Sequence, residues 1–175
     1  MDHRRRIPRG RALTLAAAAA ALAVPTALAA DKGPSGSAKH FLGKDRPTAT
    51  GMAQRGTVKV VSRVLLDNRG GELKGVWYDS RKPCTAQRTL RVSYLADLVV
   101  GAKTTRKRGL RSGLVPNCAE GGPNFGFDVT ARGLGMACPS GRWKPGFYSI
   151  TVRTFDATSG LTASASLYYQ ETRRC

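Results

Sequence analysis

Histidine is nearly absent from this chain of 175 residues: His3 and His40 are the only two. Neither lies in residues 56–175, where regular hydrophobic alternation is found, so a serine or cysteine nucleophile would have no imidazole base there. Zinc is poorly served as well, because the four cysteines never form a Cys-x-x-Cys pair. Gly-x-Ser-x-Gly, His-Glu-x-x-His and the phosphate-cradling glycine loop are all missing. Acids are scarce, 11 Asp and Glu against 29 Lys and Arg. Asp67, Glu72, Asp79, Asp97, Asp128 and Asp156 could in principle supply a glycosidase pair. Nothing in their spacing selects two of them, and most fall at strand ends, where turn chemistry accounts for them. No convincing 3.6-residue period occurs after residue 30. These absences argue against an enzyme and against any cofactor or metal.

Long apolar runs are also lacking. The longest, residues 12–24, is short for a membrane span of ~20 residues. Arg4, Arg5, Arg6, Arg9 and Arg11 precede it, Pro25 ends it, and Ala27-Leu28-Ala29 offers small residues for cleavage. Residues 1–30 therefore read as a secretory signal peptide. The arginine pair lacks a twin-arginine context, which favours Sec export. No cysteine precedes Cys84 to accept a lipid, and the polar end at Cys175 offers no anchor. The expected location is extracellular, with no membrane anchor. Residues 31–55, rich in Gly, Pro, Ser, Thr and Lys, read as a flexible leader. Residues 56–175 form one domain, long enough for a single core.

What is present in that domain is strand alternation. The most informative stretch is 143–156. Pro145 and Gly146 make a turn. Tyr148, Ile150, Val152 and Thr154 then share one face, and Phe147, Ser149, Thr151, Arg153 and Phe155 the other. Residues 89–100 alternate most clearly, with Leu90, Val92, Tyr94, Ala96, Leu98 and Val100 on one side. Segments 57–66, 73–79, 124–130 and 161–169 add further strands, and 110–115 a short one. Six or seven strands with a turn every ten to fifteen residues predict an all-β, antiparallel sandwich.

The run Gly146-x-Tyr148-x-Ile150 resembles the tyrosine corner of immunoglobulin-like sandwiches, in which a Tyr hydroxyl bonds the backbone of the preceding connection. Ile150 stands where antibody domains have Cys, and Lys144 where Asp is usual. The resemblance is thus to the architecture, as in bacterial immunoglobulin-like and fibronectin-type domains. It assigns no function. It implies that Cys84 and Cys118 lie at one end of the sandwich and Cys138 and Cys175 at the other. Two disulfides would follow, Cys84–Cys118 and Cys138–Cys175. Cys118–Cys138 with Cys84–Cys175 is the alternative, and it would require a different strand order.

The same placement gathers cations. The net charge is +18, and it stays at +14 without residues 1–30, which hold five Arg and Asp2. A surplus of that size attracts anions, although Ala-, Gly- and Arg-rich chains of GC-rich bacteria carry basic character as background. Lys103, Arg106, Lys107, Arg108, Arg111, Arg142 and Lys144 form the candidate ligand-binding set. Residues 103–111 read as a basic loop, solvated or bound to phosphate or sulfate oxygens. No interleaved aromatics or familiar motif mark a dedicated nucleic-acid binder. The expected partner is an extracellular polyanion, such as a wall polymer or acidic glycan, or a protein; oligomeric state is not legible. Two alternatives remain. Trp77, Tyr78, Trp143, Tyr148, Tyr168 and Tyr169 could stack on sugars as in a carbohydrate-binding module, though such positions are usually core. The chain is also similar to secreted subtilisin inhibitors in size, export and two cystine loops, with Met136-Ala137-Cys138-Pro139 placed like their reactive segment.

Overall fold

The computed structural model describes residues 36–38, 47–117 and 125–175. They form nine strands and no helix: β1 (Gly36–Ala38), β2 (Thr48–Arg55), β3 (Val58–Leu66), β4 (Gly70–Asp79), β5 (Gln87–Val100), β6 (Lys103–Pro116), β7 (Phe125–Thr130), β8 (Gly146–Asp156) and β9 (Thr162–Glu171). Two sheets result, ordered β1-β9-β8-β5-β6 and β2-β3-β4-β7. All pairings are antiparallel except the short β1–β9 contact. The all-β, two-sheet expectation holds.

Period-two alternation decides which side chains meet between the sheets. Val92, Ala96 and Leu98 from β5, Tyr148, Ile150 and Val152 from β8, and Ala165, Leu167 and Tyr169 from β9 are buried against Val64, Leu66 and Leu73 of the other sheet. A second cluster holds Val60, Trp77, Leu90, Val115 and Ala163. Trp77 and Trp143 have no measurable or almost no exposure. Burying a side chain of that size contributes ~4–6 kcal/mol of transfer free energy as an upper bound. Each indole also places its N–H: Trp77 Nε1 donates to Val115 O at 2.7 Å and Trp143 Nε1 to Asp67 O at 2.8 Å. The Tyr148 hydroxyl donates to Lys144 O at 2.7 Å, four residues upstream, so the expected corner geometry is present.

Three expectations need correction. First, the strands outnumber the six or seven expected, because residues 48–55 are not a flexible leader. They form β2, paired with β3 along its whole length. Its inward residues are small, Ala49 and Gly51, because β2 lies almost on β9: a Cβ on Gly51 would sit 1.6 Å from Ser164 O. Small residues replace bulk there, so composition imitates a linker. Second, residues 103–111 are not a loop. They are most of β6, which pairs with β5 from Gln87 to Val100. Gly101, at φ 55°, makes the tight connection that returns the chain. Strand β6 lies at the edge of its sheet, where charged residues are well tolerated because they oppose edge-to-edge aggregation. Third, two disulfides were expected and one of them, Cys138–Cys175, is seen among the described residues. Cys84 is not a free thiol, and its expected partner Cys118 lies outside the described residues.

The connections sort to two ends. At one, Arg173 reaches Asn68, Trp143 reaches Asp67 and Cys138 is joined to Cys175. At the other, Arg88 lies between Asp156, at 2.8 Å, and Asp79, at 3.6 Å, with its guanidinium over the Trp77 ring. Burial alone would raise the Asp156 carboxyl, but hydrogen bonds from Ser159, Arg88 and the Thr158 amide outweigh this and hold it below the usual range. The Arg81 amide, with the Thr57 hydroxyl, lowers Asp79 likewise.

Candidate functional site

Because β6 is a strand, its cations alternate between two directions. Arg106 and Arg108 join the outer face of the five-stranded sheet. Lys103, Lys107 and Arg111 point the other way, Lys107 and Arg111 in register with the core residues Ala96 and Val92 of β5 and Lys103 with the exposed Val100. The candidate set therefore does not converge on one spot, and several members are already engaged. Arg106 makes a two-pronged pair with Asp97, both bonds 2.8 Å, and its hydrogen bond holds the Asp97 carboxyl below the usual range. Arg111 donates to Gly126 O at 2.9 Å and stacks on the Phe125 ring. Arg142 donates to Ser140 Oγ and to Arg174 O. Lys103, Lys107, Arg108 and Lys144 have no ion-pair partner among the described residues.

Two of these free cations do come together with a third that the candidate set omitted. The β7–β8 connection, residues 131–145, folds back on itself through the Ala137–Trp143 bridge and the Cys138–Cys175 link. It encloses a shallow hollow of about 500 Å³ whose walls include Arg132, Gly135, Pro139 and Lys144. Gly135 takes φ 73°, and a Cβ there would lie 3.8 Å from Lys107 Cε. Lys107 thus comes from β6 to within van der Waals range of Gly135, at the rim of the hollow. No acid lines it. Arg132 is exposed and donates only to Pro139 O, at 3.3 Å. Three cations from two elements, with no counter-charge, form a site able to accept phosphate, sulfate or carboxylate oxygens. That Arg132 is basic was legible in the sequence; the hollow it lines was not.

The carboxylates are otherwise occupied. Asp67 Oδ1 accepts the Arg69 and Gly70 amides in a turn. Glu72 and Asp128 both flank Lys74, at 3.5 and 2.9 Å. Asp79 and Asp156 share Arg88, and Asp97 holds Arg106. Each has a structural partner that accounts for it, and no group of three or more metal-ligating side chains occurs among the described residues.

The aromatics divide as their strand positions suggested. Trp77, Trp143, Tyr148 and Tyr169 are core, with Tyr148 and Tyr169 stacked at 4.6 Å. Tyr168 faces outward, and Tyr78 lies under Lys59. The segment Met136-Ala137-Cys138-Pro139 is no exposed reactive loop, since Met136 and Cys138 are buried. Comparison with known proteins finds no matching family model, no matching curated protein and no matching solved structure.

Proposed function

We propose that this chain is a secreted, non-enzymatic binding module whose basic end engages an anionic extracellular partner such as a wall polymer or acidic glycan. The observation that carries this reading is the acid-free hollow bounded by Arg132 and Lys144, with Lys107 at its rim. Lys74, Arg88 and Arg173, each partly buried, are paired with carboxylates, whereas Lys107, Arg132 and Lys144 are exposed and have no ion-pair partner among the described residues. A polymer with regularly spaced anions gains from several such contacts at once, and each contact releases counterions. Lys103, further along β6, extends the positive edge and lengthens the track a polymer can follow.

The fold reading that accompanies it is an immunoglobulin-like sandwich. Strands β3, β4 and β7 in one sheet and β9, β8, β5 and β6 in the other follow the order of that architecture, with β6 beside β5 as an added hairpin strand. The Tyr148 corner supports it too. Secretion is supported by the signal-like residues 1–30 and by the Cys138–Cys175 disulfide, which suits an oxidising compartment.

The test is elution from immobilised heparin as a function of salt. Replacing Lys107, Arg132 and Lys144 together by Ala should lower the salt at elution and flatten the salt dependence. Elution like that of the unaltered protein would return these residues to a solvated surface.

A further inference from the structure

The outer face of the five-stranded sheet presents a combination found nowhere else among the described residues. Leu95, Val99, Leu110, Leu114, Phe147 and Tyr168 are all exposed there, six of the eight large hydrophobic residues exposed among the described residues. Leu110, 71% exposed, touches little of its own protein. The cations of this face are Arg91, Arg106, Arg108 and Arg153, with no lysine, and its one acid is Asp97, already bound to Arg106. Solvent-facing strands usually show mixed charges instead, as the opposite sheet does. Aromatic residues with arginine, and depletion of lysine and acid, match the composition of protein-binding surfaces, and the exposed leucines add apolar area to bury.

Register fixes the arrangement. Ser93 stands between Leu110 and Arg153, and Leu95 between Arg108 and Thr151. The two arginines therefore occupy opposite corners of this patch, and Leu95 lies at its middle, diagonal to Leu110. A groove of about 750 Å³ runs over these six residues. Arg108 and Arg153 are two strands apart and offset by two residues, which puts their Cα atoms ~12 Å from each other. The sheet face around them, four strands wide and the length of β8, covers ~19 by ~36 Å, close to the ~800 Å² each partner contributes to a standard interface.

We infer that this face docks an acidic protein partner, one that presents two carboxylates about 12 Å apart on either side of an apolar side chain seated by Leu95 and Leu110. Charge complementarity selects that occupant. A second copy of this chain would bring the same arginine surplus against itself. Arginine rather than lysine suits the flat, two-pronged geometry of a carboxylate. The serine and threonine hydroxyls of Ser93 and Thr151 supply adaptable hydrogen bonds between the charged corners. This surface is separate from the basic end and does not rest on the reading given to it.

Selection of a displayed library of random twelve-residue peptides against the full chain tests the inference. Enriched peptides should carry two acids flanking a large apolar residue. Their affinity should fall about tenfold on Leu110→Ser and about a hundredfold on the double variant Arg108→Ala and Arg153→Ala, while thermal melting stays unchanged. The Lys107, Arg132 and Lys144 variant should bind them as before, and the face variants should elute from heparin like the unaltered protein, so the two readings fail separately. Absence of enrichment, or enriched peptides indifferent to these changes, would overturn the inference. Binding of phosphatidylglycerol vesicles that Leu110→Ser abolishes, with no peptide enriched, would overturn it in favour of a membrane surface.

Discussion

The outer faces of the two sheets are built from the same kind of strand and could hardly differ more in what they leave unfinished. On the four-stranded sheet, Lys74 sits between Glu72 and Asp128, and Lys59 covers Tyr78. Lys74 and Tyr78 are thus partnered within the protein, and Arg63 is the one cation of this face with neither an acid nor a ring beside it among the described residues. On the five-stranded sheet, Arg106 alone has its acid, while Arg108 and Arg153 flank exposed leucines. The first face needs water only. The second offers arginine and apolar surface in a pattern that water does not complete. The lesson is that a high net charge locates nothing; what locates function is which cations the fold has not already used.

That comparison can be broken most forcefully where a cation is deeply used. Arg88 neutralises two carboxylates at the end of the sandwich, and Asp156 has no exposure. Arg88→Met should cost about 3–5 kcal/mol of unfolding free energy in urea titration, because it strands buried charge. Next comes the satisfied face. Lys74→Glu would set three acids side by side and should destabilise by about 1–2 kcal/mol, less at high salt.

A smaller effect belongs to Arg106, which holds Asp97 below its ordinary pKa. A carboxyl lowered by folding stabilises the protein above its unfolded value, near ~3.9, and that contribution disappears as pH falls through the folded value. Arg106→Gln should therefore be less stable than the unaltered protein near neutrality and equal to it in strong acid, as read from thermal melts across pH 2–7. Smallest of all are the unused groups. Arg108→Gln, Arg153→Gln and Leu110→Ser should each change stability by no more than ~0.5 kcal/mol. A larger loss at any of them would mean that the open face has an internal role after all.

Much of the fold was legible because burial leaves a period. Residues 89–100 and 146–156 alternate strictly, and both became central strands with the expected faces inward. Strand β2 was hidden because close approach to β9 demanded glycine and alanine, the composition of a linker. Strand β6 was hidden because an edge tolerates charge, so residues 103–111 looked like a solvated loop. The site was legible as a list of cations and no further. Arg106 and Arg111 are consumed by cross-strand partners, while Lys107 is brought beside Gly135 only through the fold of residues 131–145. Contacts of that kind join distant segments and leave no local signature. The leucines of the outer face passed unremarked because an isolated exposed leucine is ordinary; only the strand register collects six apolar side chains on one surface.

The most direct measurement is the salt dependence of heparin binding by the unaltered protein and by the Lys107, Arg132 and Lys144 triple alanine variant. If these three cations form the anion site, the slope of log affinity against log salt should fall by roughly 0.7–0.9 for each contact removed. An unchanged slope would contradict the account, since the charge would then act from elsewhere on the molecule.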